Sequence, residues 1–267
     1  MRLSDKWQDY CLIDTSDGER LERWGDVTLI RPDPQIIWKC SGEAPEWRTA
    51  HAKYNRSSSG GGSWDYRRKL PESWQIKYGE LTFMVKPTGF KHTGLFPEQA
   101  VNWDYCMNAI RGADRPINVL NLFAYTGGAT LACAAAGASV CHVDAVKGMV
   151  DWARTNAKLS GLSDKPIRWI VDDAQKFISR EIRRVRGRAR TRADIQHCPE
   201  LTAPRETLQS QLQRTAHSPE CRGHSHCGIR QYVPPGADQP LSAAVVPAVA
   251  RGYSLRRLCE LVSIFFR

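Results

Sequence analysis

A glycine turn and three acidic positions carry the chemistry that can be read from this chain. The turn is Ala124-Tyr-Thr-Gly-Gly128, and the acids are Asp144 and the pair Asp172-Asp173. Paired glycines let backbone approach a ligand closely. An acid at the end of the following strand, here Asp144, is placed to accept hydrogen bonds from both hydroxyls of a ribose. Asp173, at the end of the strand after that, is placed to meet an adenine amino group. A dinucleotide turn requires G-x-G-x-x-G, so that a pyrophosphate can rest on the helix N-terminus. Only Gly127 and Gly128 are present, with bulky Phe123 and Tyr125 ahead of them. That leaves little room for a diphosphate and suits an uncharged adenosine with a short amino-acid tail. The order of turn and acids therefore favours S-adenosyl-L-methionine over a nicotinamide. The structural alternative for each acid is a solvated strand-end carboxylate.

The elements that must position these residues are legible around them. Val119-Leu-Asn-Leu-Phe123 reads as a buried parallel strand, and the alanine-rich Ala129–Ala136 as a helix. Ser139–Asp144 and Ile167–Val171 read as two further strands, the second running into Asp172-Asp173-Ala-Gln. A strand, turn, helix and strand in this order predict a doubly wound, Rossmann-like α/β sheet.

Leu120-Asn-Leu-Phe-Ala-Tyr-Thr-Gly-Gly128 resembles the cofactor loop of the class I methyltransferases that modify carbon-5 of cytosine in large-subunit ribosomal RNA. Upstream, Lys91-His-Thr-Gly-Leu-Phe-Pro-Glu-Gln99 is similar to that family's K-T-G-x-F-x-D-Q segment, with His92 interrupting it and Glu98 standing for the aspartate. Val143-Asp144, the helix holding Asn156, and Asp173-Ala-Gln-Lys-Phe177 follow in the family's order. The resemblance implies that Asn121, Phe123, Tyr125, Gly127 and Gly128 surround the cofactor's tail, Asp144 its ribose and Asp173 its adenine. It also implies a cysteine that adds to cytosine and an Asp-Pro-Pro segment that holds the base. Neither maps onto this chain, so no catalytic residue is assigned.

Composition changes near residue 180. All nine Trp lie at or before Trp169, the last lysine is Lys176, and residues 180–267 hold 15 Arg with no Lys. Of the net charge of +10, the residues up to 179 contribute +2 (23 basic, 21 acidic) and the remainder +8 (15 basic, 7 acidic). The run from Arg183 to Arg192 would bind phosphates nonspecifically and salt-dependently. Beyond it the composition cannot bury enough apolar surface to offset chain entropy, so about 60 residues are expected to be disordered. Only Tyr253–Phe266 recovers a helical pattern. The resembled family requires a buried strand ending in Asp-Pro-Pro after one more helix. Val233-Pro-Pro235 lacks the acid and lies too far on for a single crossover, so it is rejected. Losing lysine and tryptophan together while gaining arginine, proline and serine is what a second reading frame of a GC-rich gene yields. Residues from about Val185 are therefore read as translated out of frame, with a native basic tail as the alternative. Without the missing strand, Val119–Phe123 would keep an apolar edge, and weak stability with little or no methyl transfer is expected. The cluster Cys221–Cys227, with His197-Cys198, lacks the paired ligand spacing of structural zinc sites, and no metal is expected.

Residues 9–88 look β-rich. Tyr10–Asp14, Val27–Arg31 and Gln35–Trp38 read as strands, Ser57–Ser63 as a flexible loop or linker, and Trp74–Val85 as a hairpin turning at Tyr78-Gly79-Glu80. Trp64, Tyr66, Arg67, Arg68 and Lys69 mix aromatics with cations, which suits RNA bases stacking above phosphate contacts. The alternative is a partly buried edge with a solvated face. No apolar run reaches the ~18–20 residues that span a bilayer. No signal-peptide stretch follows Met1, and nine scattered cysteines read as reduced thiols, so a cytoplasmic protein without membrane contact is expected.

The expected architecture is thus a β-rich domain over 1–88, an incomplete Rossmann-like methyltransferase sheet over 89–182, and an Arg-rich tail over 183–267. The expected function is S-adenosyl-L-methionine-dependent methylation of RNA. The alternatives are an NAD(P)-binding oxidoreductase, against which the missing G-x-G-x-x-G counts, and a non-catalytic RNA-binding protein using the tail. The oligomeric state has no signal in the sequence.

Overall fold

A short period-2 pattern in the first hundred residues folds into a mixed five-stranded sheet and a separate antiparallel hairpin. The computed structural model describes residues 4–39, 44–57 and 61–188. Five strands, β1 (Tyr10–Ser16), β2 (Glu19–Trp24), β3 (Val27–Pro32), β4 (Ala52–Arg56) and β5 (Gly62–Tyr66), pair in chain order. All neighbours are antiparallel except β3 and β4, which run parallel with Ile30 opposite Lys53. A four-residue helix, α1 (Glu46–Thr49), lies between β3 and β4. A separate hairpin, β6 (Trp74–Tyr78) and β7 (Leu81–Val85), closes through Gly79-Glu80.

The sequence pattern found this region's class but not all its strands. Gln35–Trp38, expected as a strand, is a loop, and it leaves Ile37 exposed. The strands β2, β4 and β5 went unread because charged residues occupy positions that turn out to be buried or paired. Glu22 and Arg31 are both fully buried and joined by two hydrogen bonds, from Arg31 Nε (2.6 Å) and a terminal guanidinium nitrogen (2.8 Å). Tyr10 Oη donates to the same carboxylate at 2.8 Å. Burial by itself would raise the Glu22 pKa, but the charge and hydrogen bonds of Arg31, with help from Arg20 and Tyr10, outweigh it and hold it below the ordinary carboxylate value. At the end of the β4–β5 hairpin the Ser57 amide donates to Gly61 O at 3.2 Å.

From Ala100 the period switches to 3.6 and then alternates with strands. Helix α2 (Ala100–Arg111) precedes β8 (Asn118–Leu122), α3 (Gly128–Ala135), β9 (Ser139–Asp144), α4 (Lys147–Leu159), β10 (Ile167–Val171) and α5 (Ala174–Arg188). The three strands form a parallel sheet in the order β10-β9-β8, as the α/β reading requires. Among the described residues β8 pairs with β9 alone. One apolar cluster joins α2, β8, α3 and β9 through Cys106, Ile110, Ile117, Val119, Cys133, Ala134 and Val140; a second sets Leu122 and Val143 against Ala174 and Phe177.

The chain divides into two compact units. One holds Ser4–Ala100 with Trp152–Ser163, the other Val101–Asp151 with 164–188. Within the first, the second half of α4 serves the hairpin. Trp152 Nε1 donates to Met84 O (3.0 Å), Asn156 Oδ1 accepts the Met84 amide (2.8 Å), and the Ser160 hydroxyl accepts the Thr82 amide (2.9 Å). Spacing of four residues puts all three on one helix face, and they satisfy the backbone of β7. Helix α5 carries the chain through Arg188, past the start of the Arg-rich run. The remainder of that tail, including Cys221–Cys227, Val233-Pro-Pro235 and the pattern at Tyr253–Phe266, lies outside the described residues, as does most of Ser57–Gly60.

Candidate functional site

Where β8 ends, the backbone turns through conformations that bulky side chains rarely adopt. Phe123 has φ +52°, Tyr125 φ +51° and Gly127 φ +90°. A left-handed conformation costs an L-residue roughly 1–2 kcal/mol, and strained non-glycine residues concentrate where a loop is held for function. The loop is held by three hydrogen bonds. The Ala124 amide donates to Val143 O (3.1 Å), the Tyr125 amide to Asp144 Oδ2 (2.8 Å) and the Gly127 amide to Ala124 O (3.0 Å). The turn leaves the Phe123 ring 57% exposed.

The two glycines have different reasons to be there. Gly127 supplies the left-handed residue that begins α3. Gly128 makes room within the protein: a Cβ there would lie 2.5 Å from Cζ2 of Trp103, a buried residue of α2. Beneath the turn runs a buried polar chain. Asn121 Nδ2 donates to Thr130 Oγ1 (2.9 Å), which lies 2.9 Å from His142 Nδ1. The Thr130 hydroxyl accepts from Asn121 and can either donate to Nδ1 or accept from it, so it links the two side chains in either tautomer of the histidine. Asn121 is only 4% exposed, so its side chain ties β8 to α3.

The acids meet the turn from the neighbouring strands. Asp144 closes β9, and its second oxygen accepts the Val146 amide at 2.9 Å. Each carboxylate oxygen has a further lone pair for a hydroxyl donor. Asp173 Oδ1 accepts the Lys176 amide at 2.9 Å, which makes it the N-cap of α5, with its side chain exposed. Asp172 is held by Arg180 at 2.6 Å. Asp144 and the loop residues thus sit together, and Asp173 follows β10, the strand next to β9 and two strands from the loop after β8.

Of the apolar part of this edge the sequence singled out Phe123 but not Val146 or Val171. Val146 is 54% and Val171 49% exposed, and with Phe123 they place one partly exposed apolar side chain at or just beyond the carboxyl end of each parallel strand. In open α/β sheets ligands bind outside the carboxyl ends of the strands, and an apolar crest beside a hydrogen-bonding acid matches a nucleoside. Thr130, His142 and Trp103 also escaped notice, because their roles depend on partners distant in sequence. No group of three or more potential metal ligands occurs among the described residues.

No family model matches the chain. Among curated proteins it is 29% identical over 130 residues to the ribosomal RNA large subunit methyltransferase K/L of Syntrophotalea carbinolica, covering 48% of this chain and 18% of that protein. It is 37% identical over 103 residues to the protein of the same name from Shewanella frigidimarina, covering 38% and 14%. The chain therefore spans less than a fifth of the curated relatives it matches. Among solved structures it matches a SAM-dependent methyltransferase from Agrobacterium tumefaciens at 44% identity and a TM-score of 0.64, over 68% of this chain and 58% of that one. A Streptococcus mutans protein assigned as a SAM-dependent methyltransferase shares the fold, with a TM-score of 0.52 at 19% identity. By fold and by sequence likeness the chain is similar to S-adenosyl-L-methionine-dependent methyltransferases. The nicotinamide alternative is not favoured by these likenesses.

Proposed function

We propose that the chain is the cofactor-binding part of an S-adenosyl-L-methionine-dependent methyltransferase that acts on RNA, with cytosine carbon-5 of ribosomal RNA as the target. The observation that carries the reading is the edge formed by Phe123, Asp144, Val146 and Val171 at the ends of three parallel strands. Its apolar members suit the faces of an adenine, and Asp144 suits the ribose hydroxyls. Asp173 keeps one oxygen for the adenine amino group while its other caps α5. Phe123, Tyr125 and Gly127 border the amino-acid tail. Asn121 and Gly128 act one layer down, by holding the loop in shape.

When bound, the cofactor's sulfonium supplies an electrophilic methyl. The part of these residues is to hold the nucleoside and its tail in one geometry, since positioning can supply much of such a barrier reduction. The likeness to K/L ribosomal RNA methyltransferases supports RNA as substrate, and a cytoplasmic location accords with it. No helix among the described residues is long and apolar enough to cross a membrane.

Competition calorimetry tests the cofactor assignment. Adenosylhomocysteine is expected to bind the full chain and NADH to be excluded. Binding of NADH alone would reverse the assignment.

A further inference from the structure

In the unit that begins at Ser4, three strand ends and one turn meet at the same end of the five-stranded sheet. Glu19 opens β2 opposite Pro32, which closes β3, and β4, parallel to β3, closes at Arg56. Arg31, on β3, donates to Lys91 O at 3.1 Å, and Lys91 Nζ lies 3.4 Å from Pro32 O. The segment 88–92 is therefore fixed at this end.

That segment is a pinned turn. The Thr88 hydroxyl donates to His92 O (2.8 Å) and accepts the Phe90 amide (3.3 Å), while Trp64 Nε1 on β5 donates to Thr88 O (2.8 Å). The outcome is an aromatic ring, Phe90, 67% exposed at the tip of an ordered turn. An exposed aromatic on its own is unremarkable in a folded protein.

Charge balance around it is what singles out the place. Glu22 is taken by Arg31, Glu19 by Lys53 (2.7 Å), and Asp33 lies 3.8 Å from Arg20. Lys91 and Arg56 have no carboxylate partner among the described residues. Partial burial first, then the charges of Arg56 and Arg20, lower the Lys91 pKa, with Asp33 opposing. Burial and then Arg31, Lys91 and Arg20 lower that of His92. Two groups on separate side chains thus sense an excess of positive charge that a phosphate would relieve.

We propose that this end of the sheet is a docking site for single-stranded RNA, with a base stacked on Phe90 and its flanking phosphates against Lys91 and Arg56. An aromatic face beside unpaired cations is the combination that holds single strands without reading their sequence. The inference rests on the reading of the chain as an RNA methyltransferase and adds the surface on which the substrate strand is held. It also relocates the aromatic and basic site expected at Trp64–Lys69: the Trp64 indole is spent on the Thr88 carbonyl, and Arg67 lies 3.5 Å from Asp65.

Fluorescence anisotropy with a labelled single-stranded RNA oligonucleotide at graded salt, on the full chain, tests it. The double variant Arg56→Glu/Lys91→Glu is expected to bind about tenfold or more weakly, and a milder Arg56→Gln/Lys91→Gln variant to lower the slope of log affinity against log salt by about 1.4, two phosphates' worth. Phe90→Ala is expected to weaken RNA about tenfold while leaving inorganic polyphosphate binding unchanged, because only a base can stack. Affinity and slope unchanged in all variants would assign binding to the Arg-rich run and overturn the proposal. Equal loss of RNA and polyphosphate in Phe90→Ala would overturn the stacking role. Adenosylhomocysteine binding by the unaltered chain is read separately, so failure of the methyltransferase reading is distinguishable from failure of this one.

Discussion

Asp144 Oδ2 accepts the backbone amide of Tyr125 at 2.8 Å, joining the end of one parallel strand to the strained turn that follows its neighbour. The acid proposed to hold the ribose is thus also the group that shapes the loop beside it. Asp144→Asn replaces one accepting oxygen with an NH2 group that faces a donor amide. Hydrogen bonds to charged groups contribute about 1.5–3 kcal/mol, so adenosylhomocysteine affinity is expected to fall about ten- to a hundredfold. Calorimetry measures it, and an unchanged affinity would remove Asp144 from the site.

Gly128→Ala is expected to destabilise the fold by about 1–3 kcal/mol, the usual cost of forcing atoms into a packed interior. The added methyl would meet Trp103. Urea unfolding reads the cost, and the double variant with Trp103→Phe is expected to recover part of it. If the two changes simply add, the glycine is there for some reason other than the indole.

Glu22→Gln strands a buried guanidinium and is expected to cost about 3–5 kcal/mol. The same pair sets an acid limit. The folded Glu22 pKa lies below its unfolded value, so its contribution is complete above the ordinary carboxylate range and is lost as pH falls through the folded value. Thermal denaturation from neutral pH down to about pH 3 should show an acid-side loss in the natural chain that is smaller in Glu22→Gln. Equal pH dependence of the two would refute the assignment.

Methyl transfer to ribosomal RNA is expected to be little or none for the chain as translated. Its tail loses lysine and tryptophan together, and β8 pairs with β9 alone among the described residues. Sequencing the coding DNA and translating every frame from codon 175 is expected to reveal a buried strand ending in Asp-Pro-Pro, one crossover helix after Asp173. A chain rebuilt in that frame should transfer labelled methyl. Robust transfer by the present chain, or no such strand in any frame, would defeat the frame-shift reading.

Local pattern carried a large part of this. The run Val119–Asp144 was legible because a buried parallel strand is continuously apolar, a left-handed turn requires glycine, and a strand-end acid stands out against both. The hairpin at Trp74–Val85 was legible for the same reason, since its alternation breaks only at Gly79-Glu80. Other features depended on contacts between residues distant in sequence. Glu22 and Arg31 look like solvated positions until the sheet buries both and each neutralises the other. Gln35–Trp38 has strand-like residues, yet in the fold it pairs with no strand. Asn121 reads as a ligand and Gly128 as an opening for one, and only the fold shows that Thr130 hydrogen-bonds the first and Trp103 packs against the second. Composition and spacing determined the class of fold and the order of strands, turn and strand-end acids, because these follow from backbone conformation and apolar period. Which side chains face a ligand and which face the core was decided by packing, because a polar group's role is set by the partner that reaches it.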